Sequence, residues 1–160
     1  MQVSSKIVPC LWFDGQAEAA AKFYTSVFPN SRIVRINHFT EAGHEVHGRA
    51  AGSVMTVAFE IGGQLFTGLN GGPHFKFNEA VSFEVNCETQ AEIDYYWAKL
   101  SEGGRESQCG WLKDRFGVSW QVVPARMAEF FPEDDPAKAG RAMEAMLKMK
   151  KLDIAMLERA

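Results

Sequence analysis

The tripeptide Gln-Ala-Glu occurs at 16–18 and again at 90–92, and each time it opens a helical segment that follows a short apolar strand. The same offset sets Phe23 against Trp97. Self-similarity at a fixed offset is the mark of a duplicated supersecondary unit, so the echo, although short, favours folds built from two like modules.

The flanking patterns extend the repeat. Ile7 to Phe13 reads as a buried strand, broken by Asp14-Gly15. Ala17, Ala20, Ala21, Tyr24 and Phe28 then recur at helical spacing, predicting an amphipathic helix over 15–28. Pro29-Asn30 stops it, and Ser31 to Thr40 returns to β-branched and aromatic residues. Glu41 to Gly52 is small, polar and punctuated by glycine, which predicts a loop. Ser53 to Ile61 and Gln64 to Leu69 flank Gly62-Gly63, a hairpin signal.

The second half follows the same plan. Ala80 to Cys87 alternates as a strand, and Thr89 to Ser101 is a helix with Ile93, Trp97 and Leu100 inward. Thr89 and Glu92 have the spacing of a capping box. After Gly103-Gly104, Glu106 to Lys113 and Gly117 to Val123 read as two strands joined by the turn Asp114 to Gly117. Beyond Pro124 the pattern is helical. Asp135 precedes Pro136 as an N-cap precedes a first helical residue, and Asp153 is a cap for a last short helix. Ala139, Met143, Met146 and Leu147 form a stripe that needs a partner surface, either in this chain or in a second copy. The expected fold is α+β: paired βαβββ modules forming a cup-shaped mixed sheet, at about 6–72 and 79–124, with C-terminal helices at about 125–160, all one domain.

Composition excludes several function classes. A net charge of −3 supplies no basic footprint for nucleic acid. No apolar run has membrane-spanning length, and the first residues lack the pattern of a secretory leader. Cys10, Cys87 and Cys109 are odd in number and widely spaced, which fits reduced thiols in a cytoplasmic protein better than a disulfide framework. No C-x-x-C, H-x-x-x-H, P-loop, Ser-His-Asp or paired-acid motif is present.

Longer strings carry a resemblance. Pro9 to Gly15, the pair Phe23-Tyr24, Leu69 to Asn78 (LNGGPHFKFN), Cys109 to Gln121 (CGWLKDRFGVSWQ) and Ala145 to Ile154 resemble the PhnB-like branch of the vicinal oxygen chelate superfamily, the glyoxalase, bleomycin-resistance and dioxygenase group. Members of that branch often bear the name 3-demethylubiquinone-9 3-methyltransferase. The resemblance covers nearly the whole chain and implies two modules that wrap a sheet around a ligand-sized cup. It also implies four divalent-metal ligands on the inner sheet face. Carried across, those positions fall on Pro9 or Val8, on Ala80, on Gln121, and near Thr67 or Leu69. Proline and alanine cannot ligate through their side chains, so neither a catalytic metal nor any cofactor is expected. His44 and His47 have chelating spacing, but a solvated loop explains them more simply. Gly71-Gly72-Pro73 leads into aromatic residues and not into a helix, which argues against a nucleotide-type cofactor turn.

Strand alternation sorts the faces of the expected cup. Val81, Phe83, Val85, Val118, Trp120 and Val122 face the helices. Ser82, Glu84, Ser119 and Gln121 take the other side, with Leu11 from the first strand. Asn70, His74 and Phe77 join them from the stretch between the modules, and Trp111 is placed to stack on a ligand. Mixed apolar and polar lining is usual for a small-molecule site. Glu84 is the one carboxylate on that face. Buried, it becomes a candidate general base; paired with Lys76, Arg115 or a neighbour, it is structural. The expected protein is therefore a metal-independent binder of a small molecule, active as a homodimer. The alternative is an enzyme: the methyltransferase of the family name, or a metal-dependent lyase, isomerase or dioxygenase.

Overall fold

A computed structural model describes residues 5–160. It divides into two compact units, one ending at Lys76 and the other spanning Phe77–Ala160.

The first unit runs β1 (Cys10–Phe13), α1 (Ala17–Val27), β2 (Arg32–His38), a single helical turn α2 (His44–His47), β3 (Val54–Ile61) and β4 (Gln64–Asn70). Its four strands lie in the order β1-β4-β3-β2, with β1 parallel to β4 and the other pairs antiparallel. The α1 stripe forms as its spacing requires: Ala17, Ala20, Ala21 and Tyr24 are fully buried, with Val27 taking the place expected for Phe28. Three alanines let the helix lie close on the sheet. At Gly68 of β4, an added Cβ would stand 3.2 Å from the Cβ of Ala17. The Gly62-Gly63 hairpin forms, with both glycines at positive φ. α2 is one turn of helix inside the expected loop 41–52.

The second unit runs β5 (Ser82–Cys87), α3 (Gln90–Ser101), β6 (Arg105–Glu106), β7 (Trp111–Lys113), β8 (Ser119–Pro124), α4 (Met127–Phe130), α5 (Pro136–Met146) and α6 (Ile154–Arg159). Its sheet, β5-β8-β7-β6, repeats the first one's order and polarity. Thr89 Oγ1 accepts from Glu92 N at 3.2 Å, while the Glu92 carboxylate reaches back to Glu88 N at 2.6 Å, one residue beyond the usual box. Ile93, Trp97 and Leu100 fill the α3–sheet layer. Asp135 and Asp153 cap α5 and α6 through the backbone N–H of Lys138 and Met156.

One expected strand is corrected. Glu106 to Lys113 is not continuous: it folds back as a hairpin, β6 and β7, around Ser107–Gly110. Cys109 has φ 58° and Gly110 φ 84°, so the chain reverses through two left-handed residues. The backbone N–H groups of Cys109 and Gly110 donate to Met149 O and Lys150 O, which ties the turn to the segment between α5 and α6. Two smaller differences concern exposure: Val81 lies just outside β5 and is exposed, and Cys10 is exposed. Among the described residues, no helix is long and apolar enough to cross a membrane.

Candidate functional site

Register assembles the open face of the second sheet. Ser82 is paired with Ser119, Ser119 with Lys113, and Lys113 with Arg105. The next row of the same face is Glu84, Gln121 and Trp111. The alternate rows, Phe83 with Trp120 and Val85 with Val122, form the opposite face. The sequence-derived grouping of Ser82 with Glu84 and of Ser119 with Gln121 agrees with the register, which adds Trp111 to the same face.

A cavity of about 500 Å³ lies in this unit, lined by Glu79, Arg105, Ser107, Gln108, Cys109, Trp111, Leu112, Lys113 and Ser119. Its size is in the range of small-molecule sites. Lys113 Nζ lies 2.5 Å from Glu79 Oε1, and hydrogen bonding to that ammonium holds the Glu79 carboxyl below its usual range. Ser119 Oγ is buried and has no hydrogen-bond partner among the described residues. Gln121 Nε2 donates to Ser82 Oγ at 2.9 Å, which links two polar side chains of this face. Glu84 is exposed, which removes the burial that its candidacy as general base required.

Two other expected lining residues lie on the helix side of the first sheet. Leu11 is paired with Gly68, whose Cβ direction points at Ala17, so Leu11 lies buried on the α1 side of the first sheet. Asn70 is also buried there. Its Oδ1 accepts from Ala17 N at 2.9 Å and its Nδ2 donates to Val54 O at 3.0 Å, so both ends of the amide serve the backbone. The misplacement has a simple cause: period-2 alternation groups residues of one strand but does not say which group a helix will cover. His74 is exposed beyond the end of β4, and Phe77 is half-buried. Trp12 is half-buried, meets Phe75 edge-on at 4.8 Å and donates to Gly72 O at 2.9 Å.

Sequence reasoning missed Arg105, Lys113, Glu79, Ser107 and Gln108. With 106–113 read as one strand, the hairpin that brings Arg105 opposite Lys113 was hidden. The available signal was Cys109-Gly110, a pair able to take positive φ in the middle of that run.

The metal positions of the superfamily do not fit a metal here. Pro9 and Ala80 offer no side-chain donor, which leaves Gln121 without the companion ligands a divalent site needs. Among the described residues, no group of three or more His, Cys, Asp or Glu side chains is placed to hold an ion. His47 is also engaged: its Nδ1 accepts from Arg49 N at 2.9 Å, so Nε2 carries the proton and donates to Ala42 O at 3.2 Å.

Two βαβββ modules, each with its first strand parallel to its last, define the vicinal oxygen chelate class. Residues 5–123 match the sequence model of the family described as 3-demethylubiquinone-9 3-methyltransferase, and the chain belongs to that PhnB-like family. Among solved structures, a Bacillus cereus PhnB protein that carries the same methyltransferase description is 37% identical, with a TM-score of 0.67 over 76% of this chain and 100% of that one. Protein PA1353 from Pseudomonas aeruginosa is 22% identical, with a TM-score of 0.60 over 76% of this chain and 98% of its own. The fosfomycin-resistance protein FosX from Listeria monocytogenes, solved with Mn(II) and sulfate, shares the fold at 12% identity, with a TM-score of 0.51 over 80% of this chain and 95% of its own. None of the curated proteins matches the chain.

Proposed function

We propose that this PhnB-like protein binds a small organic molecule on the open face of its second module, without a catalytic metal, and acts in the cytoplasm as a homodimer. The observation that carries the reading is the cavity of about 500 Å³, whose wall combines Trp111 and Leu112 with charged and hydroxyl side chains. That mixture holds an apolar body while orienting polar ends. Free thiols at Cys10, Cys87 and Cys109 support a reducing compartment. Exposed Met143 on α5, Leu147 at its C-cap and Met156 on α6 support a second copy as their cover.

Native mass spectrometry of freshly purified, tag-free protein, paired with elemental analysis after dialysis, tests the proposal. The expected result is a retained organic mass or one that can be loaded, with no stoichiometric divalent ion. A tightly held metal ion would sink the metal-free reading. Micromolar binding of S-adenosylmethionine by calorimetry would instead favour methyl transfer.

A further inference from the structure

We infer that the second-module cavity selects an organic anion, with Arg105 as the charge partner and the Ser119 hydroxyl as a second hydrogen-bonding point; this rests on the binding function proposed above. Three observations converge. Arg105, Lys113 and Glu79 are the charged side chains of the cavity wall, one more cation than anion. Lys113 is already engaged by Glu79. Arg105 lines the same cavity with no hydrogen bond or ion pair among the described residues; its charge bears on the Glu79 carboxylate, but the hydrogen bond of that carboxylate goes to Lys113, so the guanidinium keeps a planar, two-pronged donor set that matches carboxylate or phosphoryl oxygens.

The third observation is the Ser119 hydroxyl. It is buried, lies on the cavity wall and lacks a protein partner. A buried hydroxyl without a partner is costly and uncommon in native structures, and its presence on a cavity wall points to a ligand atom that satisfies it. Ser119 and Arg105 flank Lys113 in one row across three strands, a span of about 10 Å at the usual strand spacing. An occupant with an acidic end at Arg105, a flat or apolar body against Trp111 and a polar atom at Ser119 fits that row.

The test uses three probes with one body and three charges: 2-naphthoate, 2-naphthamide and 2-naphthylmethylammonium. Each is titrated by calorimetry into the full chain and into Arg105→Gln, Ser119→Ala and the surface control Lys99→Gln. The expected result is naphthoate binding at least about tenfold tighter than the amide, with the amine weakest. Arg105→Gln should remove the preference for the acid, and Lys99→Gln should leave it intact. Ser119→Ala should weaken naphthoate several-fold while leaving Tm unchanged or raised, because the orphan hydroxyl is gone; a structural serine would lower Tm instead. If acid and amide bind equally, or Arg105→Gln has no effect on the difference, the anion inference is overturned while the binding site stands. If none of the three binds and native mass spectrometry shows no retained molecule, both readings fall.

Discussion

Trp120 Nε1 donates a hydrogen bond to Asp114 Oδ2 at 2.8 Å, joining the buried middle of β8 to the turn that precedes it. The other carboxylate oxygen, Oδ1, accepts from Phe116 N at 2.8 Å and Val118 N at 3.1 Å. One buried carboxylate thus shapes the β7–β8 turn and fixes an indole of the core. The same turn sets Lys113 beside Ser119, two residues of the cavity wall. Asp114→Ala leaves the buried indole N–H and two backbone donors without this acceptor, and should cost about 3 kcal/mol in urea unfolding. Asp114→Asn, with a single acceptor oxygen, should fall between the two.

Gly110 sits at the reversal of the β6–β7 hairpin. Its φ is 84°, and an added Cβ would lie 2.8 Å from Val122 O and 3.1 Å from Leu152 Cδ1. Gly110→Ala therefore combines left-handed backbone with a clash against main chain, and should destabilise by about 2 kcal/mol or more. Calorimetric melting checks this. Loss of naphthoate binding at temperatures where the variant is still folded would show that the hairpin shapes the cavity.

Asn70 gives a contrasting case. Asn70→Ala removes the acceptor at the first turn of α1 and the donor to β3, for an expected loss of about 1–2 kcal/mol. Ligand affinity should be unchanged, since both ends of the amide are committed to the backbone. A large loss of affinity at unchanged Tm would return Asn70 to the binding surface.

Burial pushes the Cys87 thiol from 9.0 up to about 12. Its folded value is the higher one, so its contribution to stability is complete below pH 9 and declines as pH rises toward 12, where the unfolded chain has released the proton and the folded chain has not. Cys87→Ala should flatten the alkaline fall in stability. At pH 8 the native protein should react with a thiol reagent at no more than two cysteines, and the third should react only on unfolding.

The exposed side chains Met143, Leu147 and Met156 predict self-association. Light scattering at micromolar concentration should give a dimer, and Leu147→Glu should give a monomer that keeps its melting temperature within a few degrees. A wild-type monomer would refute the dimer.

What the sequence determined by itself was local. The α1 stripe, the Gly62-Gly63 hairpin and the caps at Thr89, Asp135 and Asp153 each depend on residues within a turn or two of one another, so period and cap chemistry suffice. Alternation likewise grouped Ser82 with Glu84 and Ser119 with Gln121. Only the tertiary structure decided which strands those groups meet and which side a helix covers. The Ser82–Ser119 and Lys113–Arg105 pairings join segments separated by a helix or a reversal, and hydrogen-bond register between strands is set by packing, not by either strand alone. Hence Leu11 and Asn70 moved to the α1 face, the run 106–113 folded back on itself at Cys109-Gly110, and Arg105 arrived at the cavity wall.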